Sequence, residues 1–161
     1  MKIYIAGFFD TRERLRPIRD QLWKLGHQVN SHWLDEVSRP AGMDEEVWWK
    51  KLALRDLVDV YASDLLIVDT LDITPRGGRE VEYGFALSRF QEQQVWVVGP
   101  YRNVFHRLAD LEFETWEQCL EWLSPKPEYE VTSNTQFTAD ETVALEYAKR
   151  MVWLEEPVFN D

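Results

Sequence analysis

Residues 63–87 read SDLLIVDTLDITPRGGREVEYGFAL. Leu65, Leu66, Ile67 and Val68 form an unbroken apolar run, the mark of a strand buried on both faces. Gly77 and Gly78 then lead into charged residues and apolar positions at helical spacing. That pattern predicts a helix reaching to about Gln91. A buried strand, a glycine-bearing turn and a helix in this order belong to a parallel sheet with crossover helices.

The same rhythm runs outward on both sides. KIYIAG (2–7) reads as a first buried strand, and DTRERLRPIRDQLWKLG (10–26) as the helix after it. Asp10 and Glu13 have capping-box spacing, Leu15, Ile18, Leu22 and Leu25 make one stripe, and Gly26 stands where a helix ends. Pro17 predicts a kink or a later start. HQVNSHW (27–33) is a second, shorter strand and LDEVSRPAGM (34–43) a polar loop. A charged, tryptophan-rich helix is predicted from Asp44 to Tyr61. QVWVVGP (94–100) is a fourth strand, ADLEFE (109–114) a short fifth, and TWEQCLEWL (115–123) a helix opened by Thr115 and Gln118. The expected fold is α/β: a flavodoxin-like three-layer sandwich on a five-stranded parallel sheet of order 2-1-3-4-5.

Residues 1–123 are expected to make this domain. Residues 124–161 read as a polar, proline-bearing connector and a C-terminal helix, packed on the domain or on a neighbouring subunit. Thr138 and Glu141 have capping-box spacing, and Ala144, Tyr147, Met151 and Leu154 make an apolar stripe.

Composition narrows the partners. The net charge of −11 argues against a nucleic-acid polymer, whose phosphates need concentrated Lys and Arg. No segment approaches the ~20 apolar residues of a membrane span. The single cysteine, Cys119, and the lack of a signal-like start lead to an expectation of a cytoplasmic protein. The expected partner is a small molecule.

In a sheet of this order, ligands bind beyond the carboxyl ends of strands 1 and 3, where the strand order reverses. The turns Gly7–Thr11, Asp69–Glu82 and Gly99–His106 are expected to converge there. Glu82 has two readings: an acid stabilising the helix dipole, or a carboxylate that attacks an anomeric carbon. Glu80 is read as a dipole acid alone. Asp56 is a solvated helix residue or a member of the site. Asp69 and Asp72 are turn acids or hydroxyl ligands, and Asn103 caps a turn or reaches the site. The tryptophans at 48, 49, 96 and 153 are read as core or subunit contacts, whereas Phe8, Phe9 and Trp33 flank the switch point and suit a flat base. His27, His32 and His106 lack metal-ligand spacing, and no metal is expected. The nucleophile elbow, Walker A and three-glycine dinucleotide motifs are missing from the sequence.

Three segments in order resemble the nucleoside 2-deoxyribosyltransferase family, including the deoxynucleoside 5′-monophosphate N-glycosidases. IYIAGFFDTRER is similar to the family's first strand and its Gly-aromatic-Phe turn. RDLVDVYASDLLIVD is similar to its Asp-bearing helix and third strand. GGREVEYGFAL followed by VWVVG resembles its glutamate signature. The resemblance covers about residues 1–123.

It implies that Glu82 is the nucleophile on C1′ and that Asp56 positions or protonates the departing base. It also implies a substrate-binding set of Gly7, Phe8, Phe9 and Asp10 from the first turn, with Asp69, Arg76 and Gly78 from the turn after strand 3. Asn103 would reach a neighbouring subunit's site in a homodimer or larger homo-oligomer. No cofactor is implied. Where the transferases place an acid for the sugar 5′-hydroxyl, this chain has Arg76, which suits a 5′-phosphate. Two alternatives stand beside this reading: an NAD glycohydrolase on the same sheet, and a non-catalytic nucleotide-binding or interaction module.

Overall fold

The computed structural model describes residues 1–36, 38–73 and 77–125. Arg76, the connector beyond Pro125 and the C-terminal helix expected from the sequence lie outside the described residues.

Five parallel strands form one sheet: β1 (Lys2–Ala6), β2 (Gln28–Val29), β3 (Leu65–Asp69), β4 (Gln94–Val98) and β5 (Leu111–Phe113). Their order is β2-β1-β3-β4-β5. This is the flavodoxin-like arrangement expected from the alternation of elements. Among the described residues, four α-helices cover the sheet: α1 (Arg12–Lys24), α2 (Glu45–Tyr61), α3 (Gly78–Leu87) and α4 (Trp116–Leu123). α1 packs against α4, and α2 against α3, so two helical layers enclose the sheet. Every residue of β3 is buried, as its unbroken apolar run requires.

Helix starts follow local chemistry. Asp44 caps α2 by accepting from the Val47 amide at 3.1 Å. Thr115 caps α4 by accepting from the Gln118 amide, and the Gln118 side chain accepts from the Glu114 amide. α1 departs from its expected capping box. A 3₁₀ turn over Phe9–Thr11 carries the chain into the helix, which begins at Arg12 with no side-chain cap. The Thr11 hydroxyl donates to the Phe8 carbonyl instead. Pro17 lies inside α1, which starts before it, so the helix does not take the later start. Gly26, at φ +84°, closes the helix as expected.

β2 is shorter than HQVNSHW suggests, for a visible reason. The Ser31 hydroxyl accepts from the Ile5 amide at 2.6 Å, and the Trp33 indole donates to the Ile5 carbonyl at 2.8 Å. Two side chains thus satisfy the β1 backbone that further strand residues would have paired. The chain is released into a 3₁₀ turn over His32–Asp35, which brings Trp33 to the end of β1.

Candidate active site

The order reversal between β1 and β3 opens a crevice at their carboxyl ends, and α2 and α3 bring the two implied catalytic carboxylates to it. Glu82 lies on the second turn of α3, facing the sheet. Its Oε1 accepts from the hydroxyl of Tyr4, at the centre of β1, over 2.8 Å. Tyr4 is fully buried, so its hydroxyl needs an internal partner, and Glu82 supplies it. Burial drives the Glu82 carboxyl upward. The Tyr4 hydrogen bond and the Arg79 charge oppose this, while Asp56 and Asp59 reinforce it. The balance stands at about 8.

Asp56 lies on α2, half-buried, with Arg55 donating to its Oδ1 over 3.1 Å. Arg55 also pairs with Glu36 at 2.5 Å. Burial raises the Asp56 carboxyl. Arg55 opposes that shift, and the nearby Asp59 and Glu36 add to it. Asp59 itself is held by His32, whose Nδ1 lies 2.8 Å from its Oδ2.

Both carboxylates line one small cavity of about 160 Å³, together with Gly7, Phe8, Phe9, Trp33, Gly78 and Arg79. A larger cleft of about 800 Å³ shares Phe9, Trp33, Asp56, Gly78 and Glu82 with it and continues along α2. The structure therefore brings Glu82, Asp56, Gly7, Phe8, Phe9 and Gly78 to one place. The Phe9 and Trp33 rings stand 6.5 Å apart at 37°, which makes two walls rather than a parallel clamp.

Other expected site residues are placed elsewhere. Asp10 is exposed and lines neither cavity. Asp69 is 1% exposed and fully engaged. Arg14 binds it through two nitrogens, the Trp116 indole donates at 2.6 Å, and the Leu71 amide donates as well. Asp72 is bound by Arg14. Asn103 takes its turn-capping alternative: its carbonyl oxygen accepts from the Phe105 amide, and its amide nitrogen donates to Glu80 at 2.8 Å. Within its own chain, Asn103 thus faces Glu80.

Glu80 exceeds its reading as a dipole acid. It accepts from Arg79, Asn103 and the buried His106. The Arg102 amide donates to His106 Nδ1, so Nε2 carries the proton given to Glu80. Burial alone would raise the Glu80 carboxyl, but hydrogen bonds from His106 and Arg79 outweigh it and hold it below its ordinary value. This network fixes Arg79, whose Nη1 also donates to the Asp69 carbonyl at 2.8 Å. Trp48 and Trp49, read from sequence as core or subunit contacts, line the larger cleft, while Trp96 is core. Among the described residues, no cluster of His, Cys, Asp or Glu is arranged to hold a metal ion.

Sequence reasoning missed Tyr4 and Arg55. A tyrosine in a fully buried strand was a usable signal, because its hydroxyl must find a partner. Nothing in the sequence marked that partner.

No protein-family model matches the chain, and no curated protein matches it in sequence. Its likeness to solved structures is firm. A 2-deoxyribosyltransferase from Bacillus psychrosaccharolyticus superposes with a TM-score of 0.61 at 21% identity, covering 80% of this chain and 100% of that one. The chain shares the fold of that transferase. A conserved protein from Enterococcus faecalis V583 gives the same TM-score and identity, over 76% of this chain and 96% of its own. A CMP N-glycosidase from Clostridium botulinum is more distant, at 14% identity and a TM-score of 0.49.

Proposed function

We propose that the protein cleaves the N-glycosidic bond of a (deoxy)nucleoside or its 5′-monophosphate, by transfer or hydrolysis, with Glu82 as nucleophile. The observation that carries this reading is the Tyr4-held Glu82 carboxylate sharing a cavity wall with Asp56 at the switch point. A Glu82 oxygen attacks C1′, the C1′–N bond breaks, and its electron pair leaves with the base. Asp56 supplies the proton that the departing nitrogen needs. A second base or a water then gives its proton to Asp56 as it bonds to C1′, and the bond from C1′ to the Glu82 oxygen breaks to free the carboxylate.

The proton inventory suits this division. Two half-buried carboxyls against one cavity cannot both ionise cheaply, so near neutrality the pair holds a proton. The reactive arrangement has that proton on Asp56 and leaves Glu82 as the carboxylate. The small cavity, with Arg79 and two glycines, suits a polar sugar. The larger cleft, walled by aromatic rings, suits a base. We also place the chain in a homo-oligomer, because α2 carries an apolar stripe facing away from the sheet.

The test is incubation with a panel of deoxynucleosides and their 5′-monophosphates, with and without an acceptor base. Free or exchanged base should appear, and Glu82→Ala should abolish it. Intact-protein mass spectrometry of quenched reactions should show a glycosyl adduct. Turnover that persists in Glu82→Ala would sink the assignment.

A further inference from the structure

The cleft is larger than a plain nucleobase requires. Its 800 Å³ lies toward the upper end of the ~300–1,000 Å³ spanned by sites for drug-sized ligands. Its long wall is one face of α2. Asp56, Leu52 with Ala53, Trp48 with Trp49, and Glu45 recur at three- and four-residue steps and all line it. From Asp56 to Glu45 this face rises about 16 Å at 1.5 Å per residue. Asp56 and Glu82 mark one end, Leu52, Ala53, Trp48 and Trp49 make the middle apolar and aromatic, and Glu45 closes the far end.

The far end is shaped. The Trp49 indole nitrogen donates to Glu45 at 3.2 Å, which fixes the ring, while 59% of Trp49 stays open to the cleft and solvent. Trp48, only 8% exposed, lines the same cleft. Across the cleft stands Val81, one residue before Glu82 and 62% exposed. Such exposed apolar area, continuous with a buried pair of carboxyls, is suited to cover part of a ligand whose reacting end is held by those carboxyls.

Resting on the glycosidic reading above, we propose that the base subsite runs on along α2 and takes a base enlarged by an apolar substituent, such as a purine alkylated or arylated on its exocyclic amine. Trp49, Leu52, Ala53 and Val81 hold the substituent, and Asp56 and Glu82 face the glycosidic bond.

Binding of free bases tests this without turnover. Adenine and 6-benzylaminopurine are titrated into the full-length protein, read by calorimetry and tryptophan fluorescence. The benzylated base should bind about tenfold tighter or better, as burial of an aryl-methyl group predicts. Ala53→Trp fills the groove from an exposed helix position, and it should bring the ratio of the two dissociation constants to about one. Trp49→Ala should lower the ratio too, with circular dichroism confirming the fold of both variants.

Equal binding of the two bases, binding of neither, or a ratio unmoved by Ala53→Trp would overturn the proposal. So would a dimer that Ala53→Trp dissociates while the wild type shows no preference, since a second copy would then fill the groove. A preference for the benzylated base with no nucleoside cleaved would defeat the glycosidic reading and leave the groove assignment standing. Cleavage of plain nucleosides with equal base binding would do the reverse.

Discussion

The hydroxyl of Tyr4 lies 2.8 Å from Oε1 of Glu82, joining the middle of β1 to the second turn of α3 across 78 residues of sequence. The bond works against burial. A carboxylate at this depth is favoured by a donor, and Tyr4 is the donor. The phenol responds in kind: burial, then the Glu82 charge, pushes its own ionisation well above the ordinary tyrosine value. Tyr4 thus stays protonated and donating throughout the working range.

Removing that donor should shift the pH profile. The reaction needs the one proton that Glu82 and Asp56 hold between them, so kcat/KM of the wild type falls as pH rises through about 8. Tyr4→Phe should move the limb to higher pH and lower kcat/KM at pH 7 by about tenfold. It should cost only about 1 kcal/mol of stability. Rates across pH 5–10 for both proteins decide the matter, and an unmoved limb would mean that Tyr4 is a packing residue only.

Glu82 should also leave a signature in stability. Its folded value of about 8 lies above that of an unfolded glutamate, so the native state binds the extra proton between them. Its contribution is complete below the unfolded value and is lost as pH rises through about 8. Glu82→Gln should therefore gain on the wild type as pH rises from 5 to 8, by up to about 1.4 kcal/mol per pH unit. Urea denaturation at pH 5, 7 and 9 checks this. A constant difference between the two proteins would count against a carboxyl raised by burial.

Glu80 should behave in the opposite sense. His106 and Arg79 hold its carboxyl low, so its contribution is present above the unfolded glutamate value and is lost as pH falls through the folded one. Glu80→Gln should flatten the loss of stability on acidification. It should also lower kcat/KM by freeing Arg79, which borders the small cavity. Thermal unfolding from pH 3 to 7 supplies the first measurement, and the deoxynucleoside assay the second.

The legible parts of this molecule are those set by local pattern. β3 and β4 announce themselves as apolar runs, and Gly26 and Thr115 mark helix ends through backbone chemistry. The switch point follows from strand order, and Glu82, Gly7 and Gly78 stand together at it. What sequence hid was pairing at a distance. Asp69 stands at the site's edge, but Arg14 and Trp116, 55 and 47 residues away, claim its oxygens. Asn103 and His106 join Glu80 by the same kind of long reach. β2 ended early because Ser31 and Trp33 side chains replaced backbone pairs, a substitution that strand patterns do not encode. Trp48 is buried, within its reading as a core or subunit contact, but nothing local told which face of α2 would border the crevice that it and the exposed Trp49 line.

α2 leads to the last prediction. Its cleft face runs through Glu45, Trp49, Leu52 and Asp56. Val47, Leu54, Val58 and Tyr61 lie about half a turn round the helix from these. They are 58%, 58%, 63% and 61% exposed, so the far face is an open apolar stripe at seven-, four- and three-residue spacing. That spacing is the seam of a helix packed against another helix, and leaving it in water is unfavourable by about 25 cal/mol per Å². A second copy offering the same stripe would bury both in an isologous contact, in which each residue meets its own counterpart's neighbours. The full-length protein should therefore sediment as a dimer or larger at micromolar concentration. Leu54→Glu with Val58→Glu should shift it to the monomer. Their helix positions are exposed, so the fold should survive, as circular dichroism can verify. A wild-type monomer at these concentrations would show that the stripe serves some other contact.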